Sequence, residues 1–342
     1  MSRGEMSAAQ VAKGLSTKAV EARGKPKVAV VYTTPETVLE DVGCAMRLAD
    51  YKSFLNPDAA TLLKINISWQ HYYPACSTTP WQLEGVIKTL KADGYKNMIP
   101  AHNGTVVVDP YEGAENNKHT AVERKYGLNS VFLDIPPNRW VPYNPKAKML
   151  ALDEIFPEGI EVPEVMLGKN IIHLPTLKTH VFTTLTGAMK NAFGGLLNRK
   201  RHWTHSMIHE TLVDLLNIQY EIHSGVFAVT DGTFAGDGPG PRAMRWHVKN
   251  VLLAGADQVA IDAVGARLMG FDPMSIGFIR LAHEMGLGCG DTEQIEVVGE
   301  DISNINWSFD RGQNTLASRG QKLIYWGPLK PLEKLLLLEH LV

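Results

Sequence analysis

The chain has 342 residues, with 44% hydrophobic and 20% charged side chains, enough apolar material for one large core or two modest ones. A formal net charge of −2 excludes the global basic field that nucleic acid or an anionic membrane would select. Three cysteines, Cys44, Cys76 and Cys289, are odd in number and far apart with no C-x-x-C pair. That argues against a zinc ribbon or an iron–sulfur loop, so no iron–sulfur cluster is expected, and for a reducing, cytoplasmic setting.

Residues 1–26 are polar, lack the apolar centre of a signal peptide and are expected as a tail. Val28–Tyr32 is a β-branched apolar run, expected as a buried strand. A helical pattern follows from Pro35 to about Asp50, with Val38, Val42, Met46 and Leu48 on one face. Leu62–Ile67 is the next strand, with Lys64 and Asn66 near its end. Thr79 and Pro80 signal a helix start, and that helix runs to Ala92, where Asp93-Gly94 stops it. Lys96–Ala101 is a strand, Ala114–Tyr126 a helix, and Ser130–Ile135 a strand. Pro136–Lys148 is proline-rich and irregular, a candidate lobe boundary.

Gly168–Leu174 is a strand that feeds Pro175–Asn191, read P-T-L-K-T-H-V-F-T-T-L-T-G-A-M-K-N. Met207–Ile222 is a helix. Val226–Thr230 is a strand ending at Asp231-Gly232, and Val251–Ala254 is a strand ending near Asp257. Helices over Gln258–Met269 and Met274–Met285 and a strand at Ile295–Val298 complete an α/β domain over 27–327. Strands alternating with helices predict a mostly parallel sheet with helices on both faces, arranged in one body or in two lobes around a strand-end crevice. Residues 328–342 are leucine-rich and expected as a helix. Its basic face is too thin for strong lipid attraction, which favours docking on the chain's own body or on a second subunit, a route to a homo-oligomer. No run of about 18 apolar residues is present to cross a membrane.

From Val165 to His209 there is no Asp or Glu, while six of the lysines and arginines and five of the twelve histidines fall in that window. Positive charge gathered in this way suits a carboxylate, a phosphate or a developing oxyanion; the ordinary alternative is a solvated basic face. Lys178 and His180 follow an apolar strand directly, and Lys190 sits among Ala188, Met189, Ala192 and Phe193, so its stem is packed. A packed lysine has a lowered pKa and can serve as a base. His180, with an ordinary pKa near neutrality, is the candidate general acid or base. His205 and His209 are four apart. With His202 they offer a metal clip that needs a further ligand; the plainer reading is histidines lining a cleft. The glycine-rich Gly236–Arg242 loop lacks the spacing of a phosphate-binding fingerprint, though Arg242 could clamp an anion. Asp257 reads as an N-cap, whereas Asp262, inside an apolar helix, needs a partner, with lysine or arginine from the basic segment as the candidate.

The pieces L-K-I-N (63–66), T-T-P (78–80), L-K-A-D-G (90–94), P-T-L-K-T-H, T-G-A-M-K-N-A-F-G, V-T-D-G, G-A-D-Q-V-A-I-D-A-V and L-M-G-F-D-P occur in this order. Over roughly residues 60–300 the chain resembles the domain of unknown function 362 family. Some relatives carry ferredoxin-type cysteine clusters, which this sequence lacks. The resemblance implies that Lys64, Asn66, Lys178, His180, Lys190, Asn191, Asp231 and Asp262 are signature positions, without giving them roles. The resulting expectation is an enzyme on a small anionic metabolite. Lys64, Asn66, Lys178, Asn191, Arg242 and Asp262 would bind the ligand, and His180, Lys190 and Asp231 would carry acid–base chemistry. The alternatives are a metal enzyme using the histidine cluster and a non-catalytic redox or assembly partner.

Overall fold

The computed structural model describes residues 25–104, 108–197 and 199–312, and residue 319. The tail over 1–24 and the leucine-rich 328–342 stretch lie outside the described residues. The early strands are β1 (Lys27–Tyr32), β2 (Thr61–Ile65), β3 (Met98–His102) and β4 (Val131–Phe132). An antiparallel pair, β5 (Trp140–Tyr143) and β6 (Ile160–Pro163), follows. Then come β7 (Asn170–Leu174), β8 (Thr176–His180), β9 (Thr184–Leu185), β10 (Gly225–Asp237), β11 (Arg245–Gly255) and β12 (Glu296–Gly299).

All but β5 and β6 join one mostly parallel sheet in the order β12-β1-β11-β10-β7-β2-β3-β4, with β8 and β9 continuing beside β10. The antiparallel exceptions within it are the β1–β11, β10–β11 and β8–β9 pairs. Helices cover both faces because residues along the central strands alternate between two cores. Leu63, Ile172 and Phe227 face α1 (Val38–Leu48) and α2 (Pro80–Ala92). Their neighbours Leu62, Ile171 and Ala228 share a cluster with α7 (Ile208–Ile222), α8 (Gln258–Met269) and α9 (Gly277–Glu284). Shorter helices are α3 (Pro110–Asn116), α4 (His119–Tyr126), α5 (Leu152–Ile155) and α6 (Gly187–Asn191). Ile160 and Val162 of the small sheet pack into the second core, so residues 140–163 add to the same body.

Several elements differ from the sequence-based expectation. Leu48 is 40% exposed, because it does not fall on the i, i+4 row of Val38, Val42 and Met46. The helix expected over Ala114–Tyr126 is two helices, broken where Lys118 takes a left-handed φ of 66°. Pro136–Lys148 contains a strand. The largest change concerns the basic motif. Lys178 and His180 lie within a strand, β8, that resumes after Pro175 and hydrogen-bonds to β10. Likewise β10 does not stop at Asp231 but runs on to Asp237, with an irregularity between Gly232 and Phe234.

One topological feature positions the site. From β2 the chain moves outward to β3 and β4, then returns to lay β7 on the other side of β2. In open α/β sheets such a reversal opens a crevice beyond the carboxyl ends of the strands.

Candidate functional site

Lys64 is the penultimate residue of β2 and is 1% exposed. Its ammonium donates to the Ile65 carbonyl at 2.6 Å and to Asn103 Oδ1, just past β3, at 2.7 Å. Burial pushes its pKa down to about 7, with Arg201 adding to the effect. The turn through Gly194 and Gly195 lies against this pair. A Cβ on Gly194 would meet the Asn103 amide at 2.8 Å, and one on Gly195 would sit 3.1 Å from Lys64 Cε. Asn191 ties the reversal together: its Nδ2 donates to the Lys64 carbonyl at 2.9 Å and contacts His173 Nδ1 at 3.3 Å. His173 is fully buried on β7, and its Nε2 lies 2.5 Å from Gln219 Oε1. Burial holds this imidazole neutral, with a pKa of about 3. Asn191 therefore bridges β2 and β7 rather than offering its amide to solvent.

On the next strands Lys178 is fully buried, held by the Cys76 carbonyl at 3.0 Å and the Thr176 hydroxyl at 2.5 Å. Desolvation takes its pKa down to about 8, opposed by Asp231. Asn66 shares that loop, its Nδ2 donating to the Cys76 carbonyl at 3.2 Å and its Oδ1 accepting from Ser68. Lys190, on α6, has no hydrogen bond or ion pair to any described residue; its ammonium stands 5.4 Å from the Phe193 ring centre. Burial takes its pKa to about 7, and Lys178, Arg201 and Arg242 push in the same direction. Arg242 donates through Nε to the Ser68 carbonyl at 2.7 Å. Arg201, 4% exposed, donates through Nη2 to the Gly104 carbonyl at 2.5 Å.

His180 completes the cluster. Its Nδ1 accepts the Phe182 N–H at 3.2 Å, which leaves Nε2 as the protonated nitrogen. Burial, Lys190 and His205 hold this imidazole well below its ordinary pKa. Expecting His180 to titrate near neutrality overlooked these neighbours; it is an uncharged donor, and among the cations of the cluster Lys64 and Lys190 are the ones brought near neutrality.

The aspartates do not form an acidic wall opposite these cations. Asp262 accepts from the N–H groups of Ala188 at 2.5 Å and Met189 at 3.0 Å, so its partners are the first turn of α6, not a lysine or arginine. Gly187 is needed there: its φ is +66°, and a Cβ would fall 2.4 Å from the Asp262 carboxylate. Burial raises the Asp262 pKa to about 7. Asp257 is the N-cap of α8, accepting from Val259 and Ala260, and also takes the Cys289 N–H. Asp231 lies on the face of α2. It accepts from the Thr79 hydroxyl at 2.5 Å, Trp81 Nε1 at 3.1 Å and the Thr233 N–H at 2.6 Å. Of the three aspartates, it is the one whose charge acts on Lys178.

The residues that meet in this crevice, from Lys64 to Asp262, fall in one continuous region. Residues 61–267 match the family model described as a domain of unknown function, DUF362. The chain belongs to the DUF362 family. It is similar to the thylakoid-associated protein of Synechocystis sp., with 27% identity over 242 residues that cover 69% of this chain and 70% of the relative. No solved structure matches.

The DUF362 core does not gather the three histidines after the basic motif into one clip. The helix begins at Ile208, so His202 and His205 lie in the preceding 3-10 segment. Their rings stack 5.7 Å apart. His209 instead accepts the Phe278 N–H through Nδ1 at 3.1 Å. Among the described residues no group of three or more His, Cys, Asp or Glu is placed to hold a metal ion, and no helix is long and apolar enough to cross a membrane. Sequence reading missed Asn103, His173 and Cys76. His173 did carry a signal, as a polar residue inside an apolar strand; Asn103 and Cys76 become visible only once the loops converge.

Proposed function

We propose that this DUF362 protein is an enzyme that binds a small anionic metabolite, a carboxylate or a phosphate, in the crevice beyond β2, β7 and β8. On this reading Lys178, Lys190 and Arg242 hold the anion, and Lys190 exchanges a proton with the bound molecule. The observation that carries it is Lys190, a packed ammonium with no hydrogen bond or ion pair among the described residues. Lys190 is half-buried at the crevice, and a partly desolvated cation without a counter-charge favours a ligand anion that supplies that charge. A pKa of about 7 matches Lys190 to general acid–base work at neutral pH. His180 acts as a neutral hydrogen-bond donor. Three free thiols suit a reducing compartment such as the cytoplasm.

The test is ligand-induced thermal stabilisation across a metabolite library, with Lys190→Ala and His180→Ala measured beside the wild type. Compounds that shift the wild type are expected to lose most of that shift in Lys190→Ala and part of it in His180→Ala. Shifts unchanged in both variants for every active compound would remove this assignment.

A further inference from the structure

In doubly wound sheets an anion commonly rests on the N–H groups at a helix N-terminus. Here the helices that start near the crevice have those groups already engaged. Thr79 caps α2 with a full capping box and Asp262 takes the N–H groups of Ala188 and Met189 at the start of α6, while α8 starts at the opposite edge of the sheet, since Gly255 pairs with Val28 and Ala228. Side-chain cations are the remaining groups suited to carry the ligand. Lys178 comes from β8, Lys190 from α6 and Arg242 from the connection between β10 and β11, and the backbone brings them together. Lys178 Nζ and the Pro241 carbonyl both bond Cys76, and the Thr186 N–H, four residues before Lys190, bonds the Lys178 carbonyl at 3.0 Å. The charges of Lys178 and Arg242 both act on Lys190. None of the three forms an ion pair with a carboxylate of a described residue. Each also has donors to spare. Lys178 uses two of its three N–H bonds, Lys190 none, and Arg242 only its Nε.

A carboxylate brings one charge and two oxygens in a plane, which would leave part of the positive charge on buried Lys178 and half-buried Lys190 and Arg242 uncompensated. A phosphoryl group brings close to two charges at neutral pH and three terminal oxygens pointing in three directions. Resting on the anion-site reading above, we propose that the ligand is a phosphate monoester, its terminal oxygens held by Lys178, Lys190 and Arg242. The neutral His180 supplies an uncharged donor through Nε2, suited to an ester or leaving-group oxygen.

Calorimetry and thermal melting of the full-length protein at pH 7 and fixed ionic strength separate the possibilities, with phenyl phosphate, benzoate and succinate as probes. Phenyl phosphate is expected to bind at least about tenfold more tightly than benzoate or succinate, since each charge-assisted contact is worth roughly a factor of ten or more. Lys190→Met is expected to weaken phenyl phosphate on the order of 10–100-fold. The ligand-free melting temperature of that variant should equal or exceed that of the wild type, because an uncompensated charge has been removed. If Lys190→Met does not fold, Arg242→Gln on the loop is expected to give the same selective loss. Benzoate or succinate binding as tightly as phenyl phosphate, with the same loss in the variant, would leave an anion site but overturn the phosphate assignment. No binding by any probe, or binding indifferent to both variants, would overturn the assignment and the anion site together.

Discussion

At the residue scale, the crevice separates two uses of charge, one buried and one half-buried. Asp262 is a carboxylate matched by backbone, with two N–H groups from the start of α6. Lys190 is an ammonium matched by no described residue. The first is structural and the second is chemical, and substitution should tell them apart. Asp262→Ala leaves two buried N–H groups unsatisfied and is expected to destabilise the fold by about 2–4 kcal/mol, read by chemical denaturation, whereas removing the Lys190 charge should cost no stability. A loss below about 1 kcal/mol in Asp262→Ala would show that water or a shifted backbone replaces the carboxylate. Sequence alone singled out both residues but could not sort them. An aspartate inside an apolar helix needs a partner, and nothing local says whether that partner is a lysine or the backbone of a turn 74 positions away.

At the element scale, the anchoring of α2 joins the sheet to the crevice loop. Thr79 accepts the Gln82 N–H and donates to Asp231 on β10, while Gln82 Nε2 reaches the carbonyls of Pro175 and Val229. Thr79→Val keeps the volume and removes both bonds. It should destabilise the protein by about 2–3 kcal/mol, the sum of a lost cap and a lost charge-assisted bond, and an unchanged urea midpoint would contradict the role. This element was legible beforehand, because Thr-Pro followed by an apolar row at helical spacing is a strong local signal. In contrast β8 was not legible. Thr176, Lys178 and His180 alternate with Leu177 and Thr179, and so polar a run has no apolar stripe. It is a strand because β10 extends past Asp231 to pair with it, a decision made by tertiary contact. For the same reason the end of β10 and the start of β11 were placed several residues short.

At the scale of the whole molecule, the lysines link stability to pH. Lys64 and Lys190 have pKa values lowered to about 7 and Lys178 to about 8, against 10.5 as the ordinary value. Between pH 8 and the ordinary value the unfolded chain binds protons at these positions that the folded chain does not, so stability rises with pH there. The ligand-free melting temperature, corrected for other groups with a Lys64→Met, Lys178→Met, Lys190→Met series, should rise from pH 7 to about pH 9.5. Tyrosines such as Tyr143, raised by burial and Glu221, reverse the trend at higher pH. Anion binding should run the other way, strongest where the lysines are protonated and fading above pH 8. A melting temperature that falls over this range in the wild type and in every variant would contradict the lowered values. The fold class and the basic segment were readable from composition, alternation and the acid-free window. That the aspartates pair with backbone and hydroxyl groups rather than with the lysines was not, because those partners come from segments far away along the chain.

The central claim is that Lys190 is an unpaired ammonium awaiting an anion, and its own titration tests this most directly. With lysine side chains labelled at the ε position, and Lys190→Met used to assign the resonance, an NMR titration of the free protein should show Lys190 changing protonation near pH 7. Saturating phenyl phosphate should move that midpoint upward by about one unit or more, as a facing anion favours the charged form. A midpoint at the ordinary lysine value in the free protein, or one that the anion leaves in place, would contradict the account.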